Sequence, residues 1–559
     1  MSLDQSARSY DYVVVGAGSA GSVVAHRLGA RPGTRVLVLE AGGSDRNFWL
    51  RLPVGYFRTI YDERFSRLFT TEPEPGTAGR RIDWPRGRVV GGSSSINGLV
   101  FIRGQREDFD DWARWGAAGW SYREVLPHFR RIERYGGRPN QYRGASGPLG
   151  VSDLRNDHPL CADWVRAGTE AGLPANEDFN ADTTLGVGRY QLSIEGHWRA
   201  SAARAFLGPA VRRGNVDLVT GAQVTELLFD GTRCTGVRWV SRGRSREARA
   251  DAEVILSAGA VQSPQLLQLA GIGPAETLAA LDIPVRVDLP GVGGNLQDHY
   301  QMRTIVELNE PRSFNDDVRN PLKLVHMGLE WLVRASGPLT VGAGQVGGAA
   351  CTKLADEGRP DVQFNVMPLS VDKPGRPLHR YSGFTAAVWQ CHPESRGRVD
   401  IVSRDPLADP RIVPNYLEHP RDRATMIEGV RLLREIYAQP AFRRHWSREV
   451  IPGDALRSDE ELLEAIRRQG GTVYHCVGTC RMGASDDAGA VVDPSLRVRG
   501  VERLRVIDAS VMPTIVSANT NAATLMLADR GAELVLDDAS VRTAPASIGT
   551  GAPVMTSGG

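Results

Sequence analysis

Residues 16–21 read Gly16-Ala17-Gly18-Ser19-Ala20-Gly21, and an acid, Glu40, follows 19 residues after the last glycine. These residue types can hold a diphosphate and a ribose. Gly16 permits a tight turn, Gly18 lets the backbone approach a pyrophosphate, and Gly21 lets a helix lie close on a strand. Ser19 and Ala20 would open that helix, whose free N–H groups and positive dipole end face the phosphates. Glu40 can accept hydrogen bonds from both ribose hydroxyls and would repel a 2′-phosphate, which disfavours NADP. The segment by itself does not separate NAD from FAD. Its context makes it specific. Tyr12–Val15 is a continuous apolar strand, Val23, Val24 and Leu28 share one helical face, and Arg35–Leu39 forms a second apolar strand ending at Glu40.

A second stretch, "RGRVVGGSSSINGLVFIRG" (86–104), is too small-sided for a core strand and too apolar at its ends for a linker. Gly91 and Gly92 would let another group come close to its backbone. The strand-then-helix pattern also returns later in the chain. Val254–Leu256 precedes a helix expected from Ser263 as N-cap and Pro264 as its first residue. "VERLRVIDAS" (501–510) ends a strand at Asp508, and a helix is expected from about 519. Ligands of open α/β sheets sit at such carboxyl ends.

These elements predict an α/β protein with a Rossmann-type nucleotide-binding domain and a second α+β domain on a mixed or antiparallel sheet. The first domain is expected to be discontinuous, from 1–160, 200–310 and 490–540. The second is expected from 161–199 and 311–489, where "PDVQFNVMPLS", "FTAAVWQCHPES" and "RGRVDIVSRDP" read as strands. There "RATMIEGVRLLREIYAQP" reads as an amphipathic helix ended by Pro440. The tail 541–559, rich in Ala, Ser, Gly and Pro, is expected to be disordered.

The totals agree with two or more cores in 559 residues. A net charge of +2 with no polybasic block gives no reason to expect nucleic acid. The polar start shows no signal peptide, and no apolar run is long enough for a membrane span. Six scattered cysteines do not form a disulfide framework, so a reducing cytoplasm is expected. Cys476 and Cys480 beside His475 lack a second ligand pair at zinc spacing, so no metal is expected.

Taken together and in order, "VVVGAGSAGSVVAHRL", "GRVVGGSSSINGLVFIRG", "SAGAVQSPQLLQLAGIG", "GVGGNLQDH", "YHCVGTCRMG" and "VIDASVMP…ANTNAAT" resemble the glucose–methanol–choline (GMC) oxidoreductases, over about residues 10–538. The resemblance implies FAD as cofactor and oxidation of an alcohol. Gly16, Gly18, Ser19, Ala20, Gly21, Glu40, Ala41 and Val224 would serve the adenosine and pyrophosphate, with Asp508 and Ala509 at the strand end. Val90, Gly92, Asn97, Gly98, Leu99 and Val100 would lie along the flavin, as would Tyr474, Thr520 and Asn521. Where some members bond the flavin through a histidine this chain has Ile96, so the FAD is expected to be non-covalent. His475 maps onto the family's base and Asn519 onto its partner, while His299 and His392 look like packing positions.

Phe101, Phe364, Val366, Met367 and Trp389 are expected to line an apolar or aromatic substrate pocket. The expected reaction is oxidation of a primary alcohol to the aldehyde, with electrons passing to O2, a quinone or another acceptor. Choline or polyol and aliphatic alcohol dehydrogenase, and hydroxynitrile lyase on the same fold, are the alternatives. The chain departs from the family at Cys476 and Ala523, where proline is usual, and at Arg143, where histidine is common.

Overall fold

The computed structural model describes residues 9–310, 312–356 and 358–543. Two sheets organise it. The first contains β1 (Tyr10–Val15), β2 (Val36–Glu40), β3 (Val216–Thr220), β4 (Gln223–Asp230), β5 (Arg233–Ser241) and β6 (Arg244–Leu256), in the order β3-β2-β1-β6-β5-β4. Its β3, β2, β1 and the end of β6 pair in parallel, and the start of β6 turns into an antiparallel ribbon with β5 and β4. The apolar runs of β1 and β2 are buried on both faces because helices cover the parallel part. α1 (Ser19–Leu28) leaves the glycine turn, and its Val23, Val24 and Leu28 share a core with Leu525, Met526 and Leu527 of the last helix.

The second sheet is antiparallel. It contains β7 (Tyr300–Leu308), β8 (Val346–Ala350), β9 (Val362–Met367), β10 (Gly383–Gln390), β11 (Trp446–Ile451) and β12 (Gly471–Thr472), in the order β8-β9-β10-β7-β11 with β12 beside β7. β7 lies inside the range 200–310 expected for the first domain, yet it sits in the second sheet. Strand β13 (Leu504–Val506) returns to the first sheet beside β6.

Strand alternation gives the second sheet two different faces. Phe364, Val366, Phe384 and Val388 point into a core shared with Trp164 of α2 (Pro159–Glu170) and with Val430 and Tyr437 of α5 (Pro420–Ala438). Gln301, Arg303, Asn365, Met367, Thr385 and Ala387 point the other way, towards the first sheet. Phe364 and Val366, expected to line the substrate pocket, are therefore core residues with 0% exposure.

The helix expected with Ser263 as N-cap begins five residues earlier, as α3 (Gly259–Leu269) with Ala258 as its N-cap. Pro264 thus sits inside the helix and cannot bond the Ala260 carbonyl; the Thr479 hydroxyl donates to that oxygen instead, at 2.7 Å. Helix α4 (Pro321–Arg334) stands at the surface, and α6 (Thr520–Thr543) closes the first domain. The last three residues of α6 fall within the stretch 541–559 expected to be disordered, and 544–559 lie outside the described residues.

Candidate active site

The N-termini of α1, α3 and α6 meet the inward face of the second sheet around one cavity of about 330 Å³. Gly18, Ser19, Ala20, Gly92, Asn97, Gly98, Leu99, Val100, Tyr474, His475, Asp508, Ala509, Asn519, Thr520 and Asn521, all singled out in the sequence, line it together with Met367. Gly16, Gly21, Glu40, Ala41, Val90 and Val224 stand outside this wall. Gly16 and Gly21 build the turn itself: a Cβ on Gly16 would lie 2.5 Å from the Ser257 oxygen, and one on Gly21 1.9 Å from the Gly16 oxygen. Phe101 is buried in the first core and does not reach the cavity. Trp389 lies on the cavity face of its sheet but behind His475, with ring centroids 6.3 Å apart, and it is fully buried.

The glycine-turn end of the cavity is assembled by backbone. Gly18 gives α1 no side-chain cap, so the first N–H groups of the helix remain for a ligand. Glu40 accepts from the Ala17 and Gly42 N–H groups at 2.9 and 2.7 Å, and burial pushes its carboxyl up to about 7. The loop 91–96 is tied down by its own serines. Ser94 and Ser95 hydroxyls donate to the Gly91 and Val90 carbonyls at 2.6 and 2.8 Å. Gly92 has φ +53°, and a Cβ there would lie 2.7 Å from the Gly18 Cα. The small residues of 86–104 therefore admit the glycine turn on one side and the cavity on the other. Asp508 accepts from Gly259 N–H at 2.9 Å and from the Ser263 hydroxyl at 2.6 Å, joining the β13 end to α3. Leu99 and Tyr474 both take left-handed backbone beside the cavity, with φ of 70° and 66°.

A chain of hydrogen bonds fixes the state of His475. His299 Nε2 lies 3.1 Å from the Cys391 carbonyl, which can only accept, so Nε2 carries the proton. Burial holds the His299 imidazole neutral, with its pKa lowered to about 3, and its Nδ1 is therefore a lone pair. His475 Nδ1 lies 2.9 Å from that lone pair and must donate to it. His475 Nε2 is left as an acceptor, facing the Asn519 amide Nδ2 at 3.0 Å. Burial, with smaller contributions from His299 and Arg86, holds His475 well below its ordinary pKa. The His475 backbone N–H donates to Asp298 Oδ1 at 2.7 Å. Arg86 donates to the Tyr474 carbonyl at 2.9 Å and to the Cys476 sulfur at 3.1 Å. Burial raises the Cys476 thiol to about 11, so it is neutral.

His299, read from the sequence as a packing position, is thus the group that orients His475. Its motif was visible, but one sequence does not show which two histidines meet. His392, by contrast, pairs with Asp108 at 3.0 Å, away from the cavity wall. Among the described residues no cluster of ligands that could hold a metal ion occurs.

The residues present fit FAD. The uncapped α1 N-terminus suits a diphosphate, and the Gly18–Gly92 approach admits it without side chains in the way. The buried Asn519 Oδ1, which has no partner, points to a polar group yet to be met beside His475. A Rossmann cradle opening onto a neutral histidine and an amide defines an FAD-dependent oxidoreductase acting on CH–OH donors. The chain belongs to the GMC oxidoreductase family, whose N-terminal part matches residues 10–301 and whose C-terminal part matches residues 393–528. It is 39% identical to the "alcohol dehydrogenase [acceptor]" of Pseudomonas putida over 553 residues, 97% of this chain and 98% of that one. It is 41% identical to human mitochondrial choline dehydrogenase over 538 residues, 95% of this chain and 90% of that one. The crystal structure of pyridoxine 4-oxidase from Mesorbium loti superposes with a TM-score of 0.84 at 31% identity, covering 94% of this chain and 99% of the other.

Proposed function

We propose that this chain oxidises a primary alcohol with an apolar or aromatic body to the aldehyde, using non-covalent FAD, with His475 as base and Asn519 as its partner. FAD, when bound, supplies the acceptor for the hydride that leaves the alcohol carbon. The observation that carries the reading is the directed lone pair on His475 Nε2, at the cavity and neutral. A hydroxyl placed there gives its proton to Nε2. The Asn519 amide N–H, 3.0 Å from Nε2, is placed to donate to the same oxygen as negative charge grows on it. Ile96 lines the cavity and has no nucleophile, which supports non-covalent FAD.

The substrate end supports the apolar class. Tyr56, Phe57, Ile60, Phe69, Met367 and Val371 line it. Its nearest charge on the sheet face is Arg303, whose guanidinium donates to the Asp372 and Val371 carbonyls. The acid in the cavity wall, Asp508, is engaged with Gly259 and Ser263 at the other end. Arg86 stands in the same wall, so a quaternary ammonium would meet two cations against the one acid Asp508, which weighs against choline. O2 or a quinone completes the turnover.

Anaerobic addition of benzyl alcohol to the yellow holoenzyme is expected to bleach its visible bands, while choline leaves them unchanged. Bleaching by choline but not by benzyl alcohol would overturn the substrate class. Bands that trichloroacetic acid leaves on the protein would overturn non-covalent binding.

A further inference from the structure

Arg303 stands in the cavity wall on β7, four residues past His299 in the chain. Four residues at about 3.3 Å each set the two backbone positions about 13 Å apart. His299 touches His475, so Arg303 marks the end of the cavity away from the reacting hydroxyl. Its guanidinium is held but not neutralised. One terminal nitrogen donates to the Asp372 carbonyl at 2.9 Å and the other to the Val371 carbonyl, while the buried Nε has no partner. These bonds use two of the five N–H groups of a guanidinium, and the others remain.

Among the described residues no carboxylate pairs with Arg303. Asp372 turns its own carboxyl out to His379 at 2.9 Å, and Asp83 pairs with Lys373 at 2.5 Å. Burial pulls the Arg303 pKa down, and the nearby Tyr474 and outward Asp372 offset that only in part. The wall's other arginine, Arg86, is engaged at all three nitrogens. It donates to the Pro85 carbonyl at 2.8 Å, the Cys476 sulfur at 3.1 Å and the Tyr474 carbonyl at 2.9 Å. A hydroxyl pair adds a donor on the Arg303 side. Tyr61 and Tyr474 meet oxygen to oxygen at 2.6 Å. One donates to the other, so the second keeps a proton for a further acceptor. Both feel the Arg303 charge, and burial keeps both protonated.

We propose that Arg303 binds a carboxylate of the substrate, so that the alcohol oxidised here is an aromatic alcohol carrying an acid on the far side of its ring. This names the substrate of the alcohol oxidation proposed above and rests on that reading. A carboxylate has lone pairs for the guanidinium fork and for the spare tyrosine hydroxyl, and it brings the negative charge that this end of the wall lacks. A plain ring would leave a largely buried cation unmatched. Tyr56, Ile60 and Met367, in the same wall, suit the ring itself.

The first test needs no turnover. The holoenzyme is titrated calorimetrically with 4-methylbenzoate, which has no hydroxyl to oxidise, and with its neutral counterpart 4-methylbenzamide. The acid is expected to bind at least about tenfold more tightly. Arg303→Met should remove that preference and Arg303→Lys should keep part of it, with melting temperature and flavin content checked for each. In anaerobic bleaching, 4-(hydroxymethyl)benzoate should half-saturate at a concentration at least about tenfold below that of its methyl ester, and Arg303→Met should erase the difference. Equal binding of acid and amide by the wild type overturns the proposal, whether or not Arg303→Met folds. So does a preference for the acid that survives in Arg303→Met. Binding of the acid through Arg303 with no bleaching by any alcohol would uphold the carboxylate site and overturn the alcohol oxidation instead.

Discussion

Replacing His299 tests the hydrogen-bond chain that sets the His475 tautomer. In His299→Ala, His475 Nδ1–H loses its acceptor at 2.9 Å inside a fully buried site. An unsatisfied buried donor costs about 1–3 kcal/mol. The other tautomer escapes that cost, because Asn519 can turn its unpartnered Oδ1 towards an Nε2–H. That tautomer has no lone pair facing the alcohol. At about 1.4 kcal/mol per tenfold, the competent form drops to roughly 1–20% of the population. The expected result is kcat lower by about 5- to 100-fold with KM little changed, because no substrate contact is lost. His299→Asn is the control: its Oδ1 can stand where Nδ1 stood and accept the same proton, so it should recover much of the loss. Stopped-flow bleaching of the bound flavin by alcohol reads the step directly, and a thermal melt for each variant separates unfolding from chemistry. Full activity in His299→Ala, or no recovery in His299→Asn, would refute the tautomer argument.

Other consequences of the geometry can be checked alongside. Gly92→Ala places a Cβ 2.7 Å from the Gly18 Cα at φ +53°, so the purified protein should retain little flavin, measured by absorbance ratio. Because His475 is held below the ordinary histidine pKa, it protonates only in more acidic solution; kcat/KM should be flat from about pH 7 upward and fall only below pH 6.5. An acid limb centred above 6.5 would contradict the burial argument. Phe364→Ala should destabilise by about 3–5 kcal/mol in denaturant melts and leave substrate preference intact, whereas Met367→Ala should shift KM among alcohols at small cost in stability. Arg303→Glu should raise activity towards choline relative to benzyl alcohol, since it replaces one of the cavity's two arginines with a carboxylate.

The nucleotide half of the site was legible because its chemistry is local. One turn, one helix start and one strand end carry Gly16, Gly18, Gly21 and Glu40, so their placement follows from neighbouring residues alone. The cavity half depends on long-range register. Phe364 and Met367 belong to one six-residue strand, and apolar type alone suggested both for the pocket; parity puts Met367 on the cavity face and Phe364 against α5. That parity could be read only once it was known which face the helices cover, a fact set by Trp164 and Tyr437 far away in the chain. The same holds for His299, 176 positions from His475. Its neutral state follows from burial, and its direction from the Cys391 carbonyl just past the end of β10, so neither is written in "NLQDH" itself. A reacting residue announces itself by type, but the residue that selects its tautomer is defined by what surrounds it.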